Sequence, residues 1–269
     1  MSTSSLPTPS PRWRTAIGRL DLRPLAVPAA LLVLWVLATT QGWVDTKVVA
    51  PPLLVLQTAA TELLQAGFYE GVALSVWRYL SGFVLGSSAG IALGLLLGLS
   101  PLARLTVGPT FHGLRQISLF AWLPLLSALA GSGDLSKIVF VAFSAFYPVV
   151  LSTVEGIQGV SAAHAEVARV YGFSRHQRLL RLILPSATPQ VFSGIKLALV
   201  YAWLGTIGAE FLLYDFSNGL GQIVMKGRGA FRVDVILVGL LAVGLIGWLT
   251  NRLAERIEGR LLRWRPAVF

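Results

Sequence analysis

Cysteine is absent from this chain, which excludes a disulfide framework and any thiolate metal site. Histidine is scarce: His112, His164 and His176 share no ligand spacing. Charge is scarce too. Only 13% of the 269 residues are Asp, Glu, Lys or Arg, against about 25% in a soluble domain. No G-x-x-x-x-G-K-[ST] stretch is present to cradle nucleotide phosphates, and no H-E-x-x-H to hold zinc. The serines have no His/Asp pair within the apolar runs. The chain therefore reads as no enzyme, with no metal and no cofactor of its own.

Apolar sequence is abundant: 55% of residues are hydrophobic and the mean hydropathy is +0.71. Arg23 to Asp45 brackets 21 uncharged residues, Arg78 to Arg104 brackets 25, and Arg115 to Asp134 brackets 18. Lys137 to Glu155 and Asp234 to Arg252 bracket 17 each. The stretch 189–212 is apolar apart from Lys196 and Glu210. A membrane-spanning helix needs roughly 17–25 mostly apolar residues, so six spans are expected. A buried soluble core explains one such run but not six.

Basic residues set the orientation. With six spans and an internal N-terminus, segments 1–24, 99–115, 155–188 and 252–269 hold 15 of the 22 Lys and Arg. The opposite side holds five: Lys47, Lys137, Lys226, Arg228 and Arg232. The positive-inside rule then puts both termini in the cytoplasm. It also explains the net charge of +10 without nucleic acid. Residues 1–24 are expected to form a disordered Ser/Pro-rich tail, and 25–269 a single transmembrane domain. The apolar run from Leu25 to Val44 is too long for a signal-peptide core and reads as an uncleaved first span. Residues 51–68 read as a short amphipathic helix on the outer face.

Inside the second run stand Gly82, Gly86, Gly90, Gly94 and Gly98, four residues apart. Glycine costs about 1 kcal/mol against alanine in an aqueous helix, but in a bilayer small residues let helix backbones approach closely. At 100° per residue a four-residue spacing drifts by about 40° per step. Such a stripe winds around its helix, so no single straight neighbour can touch all five, and one or two close crossings with different partners are expected, near Gly82–Gly90 and Gly90–Gly98.

The cytoplasmic segment 155–188 contains SAAHAEVARVYGFSRHQRLLRLILPSATPQ (161–190). A short helix with small residues, over 162–171, should end at Gly172, which permits a positive φ. Arg175, Arg178 and Arg181 then recur every three residues among leucines, giving a basic amphipathic helix at the membrane surface. Pro185 and Pro189 should end that helix and start span five. Such a helix also suits plain attachment to anionic lipid.

This loop resembles the signature of binding-protein-dependent ABC transporter permeases: Glu-Ala-Ala, three residues, Gly, nine residues, Ile, one residue, Leu-Pro. Glu166, Ala168, Gly172, Leu184 and Pro185 fall in register over 20 residues, with Val167 for the middle alanine and Leu182 for the isoleucine. SVWRYLSGFVLG (75–86), LFAWLPLLSALAGSGDLSKI (119–138) and GAEFLLYDFSNGLGQIV (208–224) are similar to the nitrate/sulfonate/taurine-type permeases. The resemblance covers roughly 50–265 and leaves 1–24 without a counterpart. It implies the all-α type I importer permease fold, in a multi-pass protein of the bacterial inner membrane. A second permease copy, two ATPase subunits carrying ATP and Mg, and an extracytoplasmic solute-binding protein are the implied partners. Ala165, Glu166, Val167, Ala168, Tyr171, Gly172, Arg175, Leu184 and Pro185 would meet the ATPase. The implied cargo is a sulfonate, taurine, nitrate or a similar small nutrient.

A secondary transporter is the main rival. It would show internal repeats and ionisable groups near the midplane, and neither is evident. Trp122, Trp203 and Glu210 are candidates to line the path. Arg78 and Glu210 come to similar depth in the outer leaflet. Either they pair, or Arg78 snorkels to the interface while Glu210 points into water.

Overall fold

The computed structural model describes residues 23–46, 48–213 and 218–261. The Ser/Pro-rich tail expected over 1–24 lies outside the described residues up to position 22. By contacts the chain divides into two compact units, Met1–Pro52 and Leu53–Phe269, so the single domain expected over 25–269 spans that division.

In the first unit, α1 (Arg23–Thr40) is apolar and carries Pro28 inside it. Its end is marked by Thr39 and Thr40, whose hydroxyls donate back to Trp35 and Val36 carbonyls at 3.0 and 2.9 Å. Gly42 turns the chain with φ +72°. Trp35 Nε1 then donates to the Ala50 carbonyl at 3.1 Å, holding the returning segment.

The second unit is a helical bundle. After α2 (Pro52–Glu62) come α3 (Ala66–Leu99), α4 (Pro101–Thr106), α5 (Gly108–Leu114), a 3₁₀ turn (Leu119–Trp122), α6 (Leu123–Ala130) and α7 (Asp134–Gln158). Then follow α8 (Ala162–Val170), α9 (Arg175–Arg178), a π turn (Leu179–Ile183), α10 (Leu184–Leu212), α11 (Leu220–Gly229) and α12 (Val233–Leu261). Among the described residues four helices are long and apolar enough to cross a membrane: 66–99, 134–158, 175–212 and 233–260. Helix α3 packs along α7, and α7 along α10. Core residues Tyr79, Val141, Ala145, Val149, Ala198 and Ala202 fill the middle of this triad. The bundle thus has a loop end, where 159–183 emerges, and an opposite end, where α7 begins.

Three expectations change. The uncharged run 116–133 is not one straight span. It is the second arm of a pair, Gly108–Leu114 and Leu119–Ala130, bent by 93°. Pro124 lacks an N–H and fits only the first turn of a helix, so α6 starts beside it rather than running through. Gly131, at φ +75°, closes α6. The pair still reaches along the bundle. Phe111 packs with Leu97 and Val150 towards the loop end, and Leu126 with Phe140 and Leu213 at the other.

Pro185 and Pro189 do not separate a surface helix from a span, because residues 175–212 run as one helical stretch. Proline removes an i→i−4 bond and crowds the carbonyl four residues back. Here the turn ahead of Pro185 widens: Leu184 N–H bonds to the Leu179 carbonyl, five residues back. That π turn makes room for the ring.

The glycine stripe meets one partner, not two. A Cβ at Gly82, Gly90, Gly94 or Gly98 would sit 2.5–2.9 Å from Val141, Val149, Thr153 and Ile157 respectively, all on α7. At Gly86 it would collide with the Ala142 backbone carbonyl. The α7 partners also recur at multiples of four, so both contact lines wind by the same about 40° per step. A partner that winds with the stripe keeps contact where a straight one would lose it.

Candidate functional site

The loop between α7 and α10 is built around α8. Its C-terminus closes with two reversed bonds, Phe173 N–H to the Ala168 carbonyl at 2.9 Å and Gly172 N–H to Arg169 at 3.0 Å. This is the Schellman arrangement, which requires a left-handed residue at its turn; Gly172 supplies it with φ +67°. Ser174 then caps α9, accepting from Gln177 N–H at 3.3 Å while the Gln177 side chain accepts from Ser174 N–H at 2.9 Å. Two stops one residue apart thus hold α8 as a separate short helix.

On α8, Ala168 is buried and Ala165 half-buried, whereas Glu166 is exposed. Val167, Val170 and Tyr171 are 53%, 86% and 77% exposed. An apolar face at the tip of a loop outside the spans is the kind of patch that marks an interaction site. Val170 belongs to this face and the sequence reading missed it, although its spacing of three from Val167 was visible. Arg175, Arg178 and Arg181 are exposed, while Leu184 is half-buried.

No steric obstacle surrounds Gly172: a Cβ there would meet nothing within 4 Å. Substitution is therefore resisted by backbone conformation alone, about 1–2 kcal/mol for an ordinary residue in the left-handed region. Gly172→Val is expected to loosen the α8 turn, while Gly172→Asn retains it. Hydrogen exchange at the Gly172 and Phe173 amides checks both.

At the opposite end the structure brings Arg78 and Glu210 together. Arg78 Nη1 lies 2.6 Å from Glu210 Oε1, and both side chains are fully buried. The other edge of the guanidinium reaches Asp134, with Nε and Nη2 at 2.8 and 2.7 Å from Oδ1. Ser75 Oγ donates to Glu210 Oε1 at 2.7 Å and accepts from Leu220 N–H at 2.9 Å. Gly221 N–H donates to Oε2 at 2.8 Å, and Gln222 Nε2 to the Glu210 carbonyl at 2.9 Å. Charges taken out of water need this density of partners. The network fastens α3, α7, α10 and α11. Gly219 makes it possible, since a Cβ there would stand 2.7 Å from Glu210 Oε1 and 2.8 Å from Arg78 Nη1. Ser75, Asp134, Gly219, Gly221 and Gln222 escaped the sequence reading. The two glycines flanking Leu220 were the available signal.

Two path candidates sit inside packing rather than on an open wall. Glu210 is enclosed as described. Trp203 is 7% exposed, and its Nε1 donates to the Val243 carbonyl at 3.2 Å, fastening α10 to α12. Trp122, half-buried, packs its ring 5.9 Å from that of Phe143. An open groove of about 560 Å³ follows the α7–α10 seam, mostly apolar (Leu119, Tyr147, Leu151, Leu197), with Glu155 and Gln190 also in its wall. No cluster of three or more His, Asp or Glu with metal-binding geometry occurs among the described residues.

A bundle of long apolar helices, bearing a capped loop helix with an apolar exposed face, defines a polytopic membrane protein. The family model described as the binding-protein-dependent transport system inner membrane component matches residues 82–263. The chain belongs to this family: it is a permease subunit of an ABC importer in the bacterial inner membrane.

Among its relatives is the aliphatic sulfonates transport permease protein SsuC of Bacillus subtilis. That protein is 33% identical over 91% of this chain and 88% of its own length. The taurine transport system permease protein TauC of Escherichia coli is 28% identical over 96% of this chain and 94% of its own. In structure the chain is similar to the MetNI methionine ABC transporter in inward-facing conformations. The TM-score is 0.60 at 19% identity, covering 71% of this chain and 94% of that one, which is a likeness of fold.

Proposed function

We propose that two copies of this chain form the membrane pathway for a small sulfonate or a related small anion. A solute-binding protein would deliver the cargo from outside, and ATP with Mg on two partner ATPase subunits would drive transport. In this reading each copy crosses the membrane six times. The crossings are α1, α3, the bent pair from α5 to α6, α7, the stretch 175–212 and α12. Both termini and the loop end face the cytoplasm.

One observation carries the reading: the exposed Val167, Val170 and Tyr171 on a short helix locked by Gly172 and Ser174. Such a knob fits a cleft in a soluble partner, whereas plain attachment to lipid calls for no such locked turn. The substrate class rests on the relatives, which are named for sulfonates and taurine. Selectivity in such a system is set chiefly by the binding protein. The test is affinity purification of the tagged chain with its neighbouring ATPase and binding protein, followed by titration of the binding protein with sulfonates, taurine and nitrate. A stable complex that binds a sulfonate tightly supports the reading. Purification without any ATPase returns the secondary transporter.

A further inference from the structure

Two hollows adjoin at the end of the bundle away from the loop, where α2 leads into α3 and α11 into α12. The first is a chamber of about 300 Å³ whose wall carries Glu62, Gln65, Asn218, Lys226 and Arg232. The second is a groove of about 320 Å³ with no charged residue in its wall, bounded by Leu63 just after α2, Tyr69 and Val72 of α3, and Val238, Leu241 and Leu245 of α12. Phe68, 8% exposed, belongs to both walls. The two also share α12 one turn apart, at Val235 in the chamber and Val238 in the groove. Residues 235–251 of α12 are uncharged, so the groove runs along a helix able to cross the membrane, and the chamber sits at its water end.

Within the chamber Asp234 is already satisfied. It is buried and accepts from Arg232 Nη2 and from Thr58 Oγ1, both at 2.6 Å. The Arg232 side chain is 54% exposed and keeps further N–H donors on its guanidinium. Lys226 is exposed, with Nζ 3.4 Å from Asn218 Oδ1. Glu62, the last residue of α2, is half-buried. Between Ala230 and Arg232 of the same wall stands Phe231, 91% exposed and at φ +54°, a region that bulky residues rarely adopt. Two cations and one carboxylate, opening onto an apolar groove, match a molecule that carries a phosphate, an ammonium and a hydrocarbon chain.

We infer that chamber and groove together hold one phospholipid of the outer leaflet, with its phosphate at Lys226 and Arg232, its head-group ammonium at Glu62 and one acyl chain along α12. Lys and Arg give a phosphate charge-assisted hydrogen bonds, and basic pockets beside spanning helices hold lipid head groups in this way. The Glu62 carboxylate accepts N–H bonds from a primary ammonium, which a quaternary or an uncharged head group lacks. A soluble partner could reach the chamber with an acidic side chain, but that would leave the groove along α12 unfilled. The leaflet rests on the topology proposed above; the site itself does not.

The chain has no cysteine, so an introduced thiol is unique within it. Leu64→Cys, at an 87% exposed position next to Gln65 of the chamber, carries a fluorophore. The assembled importer is reconstituted in phosphatidylcholine vesicles. A small fraction of phosphatidylethanolamine, phosphatidylglycerol or phosphatidylcholine bears a nitroxide near the top of one acyl chain. The ethanolamine lipid should quench the label about two- to fivefold more than the other two, the weight of one exposed ion pair. Glu62→Gln and Lys226→Gln should each bring it down to the phosphatidylcholine level. A label at Leu129→Cys, 76% exposed on α6, should be quenched alike by all three.

Equal quenching by the three lipids at Leu64→Cys, or the same ethanolamine preference at Leu129→Cys, overturns the site. A preference for phosphatidylglycerol, or one that survives both Glu62→Gln and Lys226→Gln, overturns the head-group assignment. Quenching no stronger than by phosphatidylcholine, together with protection of the Leu64→Cys thiol by added solute-binding protein, gives the chamber to that protein instead. Reaction of Leu64→Cys with a membrane-impermeant thiol reagent from the cytoplasmic side overturns the topology and the leaflet, whatever the quenching shows.

Discussion

Glu210→Ala is expected to lower stability by about 3–5 kcal/mol, the range for breaking a buried ion pair from one side. The loss should appear as a collapse of purified yield and of thermal stability in detergent. The size follows from what is left behind. Without Glu210, Arg78 stays fully buried but loses the carboxylate at its Nη1, and the N–H of Gly221 and the hydroxyl of Ser75 lose their acceptor. Arg78→Ala should cost a similar amount, because it strands the Glu210 carboxylate. The double variant Arg78→Met/Glu210→Met should be less damaging than the sum, since the two buried charges leave together and the Asp134 left behind is half-exposed to solvent. A double-mutant cycle measures that difference, and strict additivity would show that the pair is not coupled. Lys196 and Glu258 give the contrast. They stand 2.8 Å apart, but their side chains are 37% and 24% exposed, so Lys196→Ala should cost about 0–1 kcal/mol.

Gly86→Ala is the second large effect expected. One methyl group there meets the Ala142 backbone carbonyl, which cannot rotate away. Helices α3 and α7 must part or bend, at about 1–3 kcal/mol for overpacking, and Gly86→Leu should prevent assembly. At Gly90 the nearest atom is the Val149 side chain at 2.9 Å, which has more freedom to shift, so Gly90→Ala should be milder and Gly90→Leu still damaging. Gly67→Ala serves as the control within the same helix: a Cβ there meets nothing within 4 Å, and the gain in helix propensity should leave stability unchanged or raised. Thermal unfolding of the five variants in one detergent ranks them. Equal losses at Gly67 and Gly86 would mean that backbone propensity, not helix contact, governs this stripe.

Much of the architecture was readable because it is local. An apolar run long enough to cross a bilayer declares itself without reference to the rest of the chain, and four such helices stand in the structure. The turn at Gly172 was also legible, since a left-handed residue closing a short helix is a property of a few consecutive residues. Where reading failed, a distant or compensating element intervened. Pro185 looked like a helix end because proline forbids the ordinary bond, yet one wider turn from Leu179 to Leu184 absorbs it. Pro124 looked like part of a straight span, and there nothing compensated, so the helix restarted.

The sequence by itself determined that this chain lives in a bilayer and that a short loop helix turns at Gly172. Each follows from composition or from spacings within about 25 residues, where covalent geometry fixes which side chains share a face. Tertiary structure alone decided which helix the glycines of α3 meet. It decided that Trp203 serves packing, and that Arg78 finds Glu210, 132 positions away, through a gap held open by Gly219. The physical reason is that a hydrogen bond or a steric contact depends on ångström-scale separations. Over so many residues only the packed helices set those separations, and spacing along the chain does not encode them.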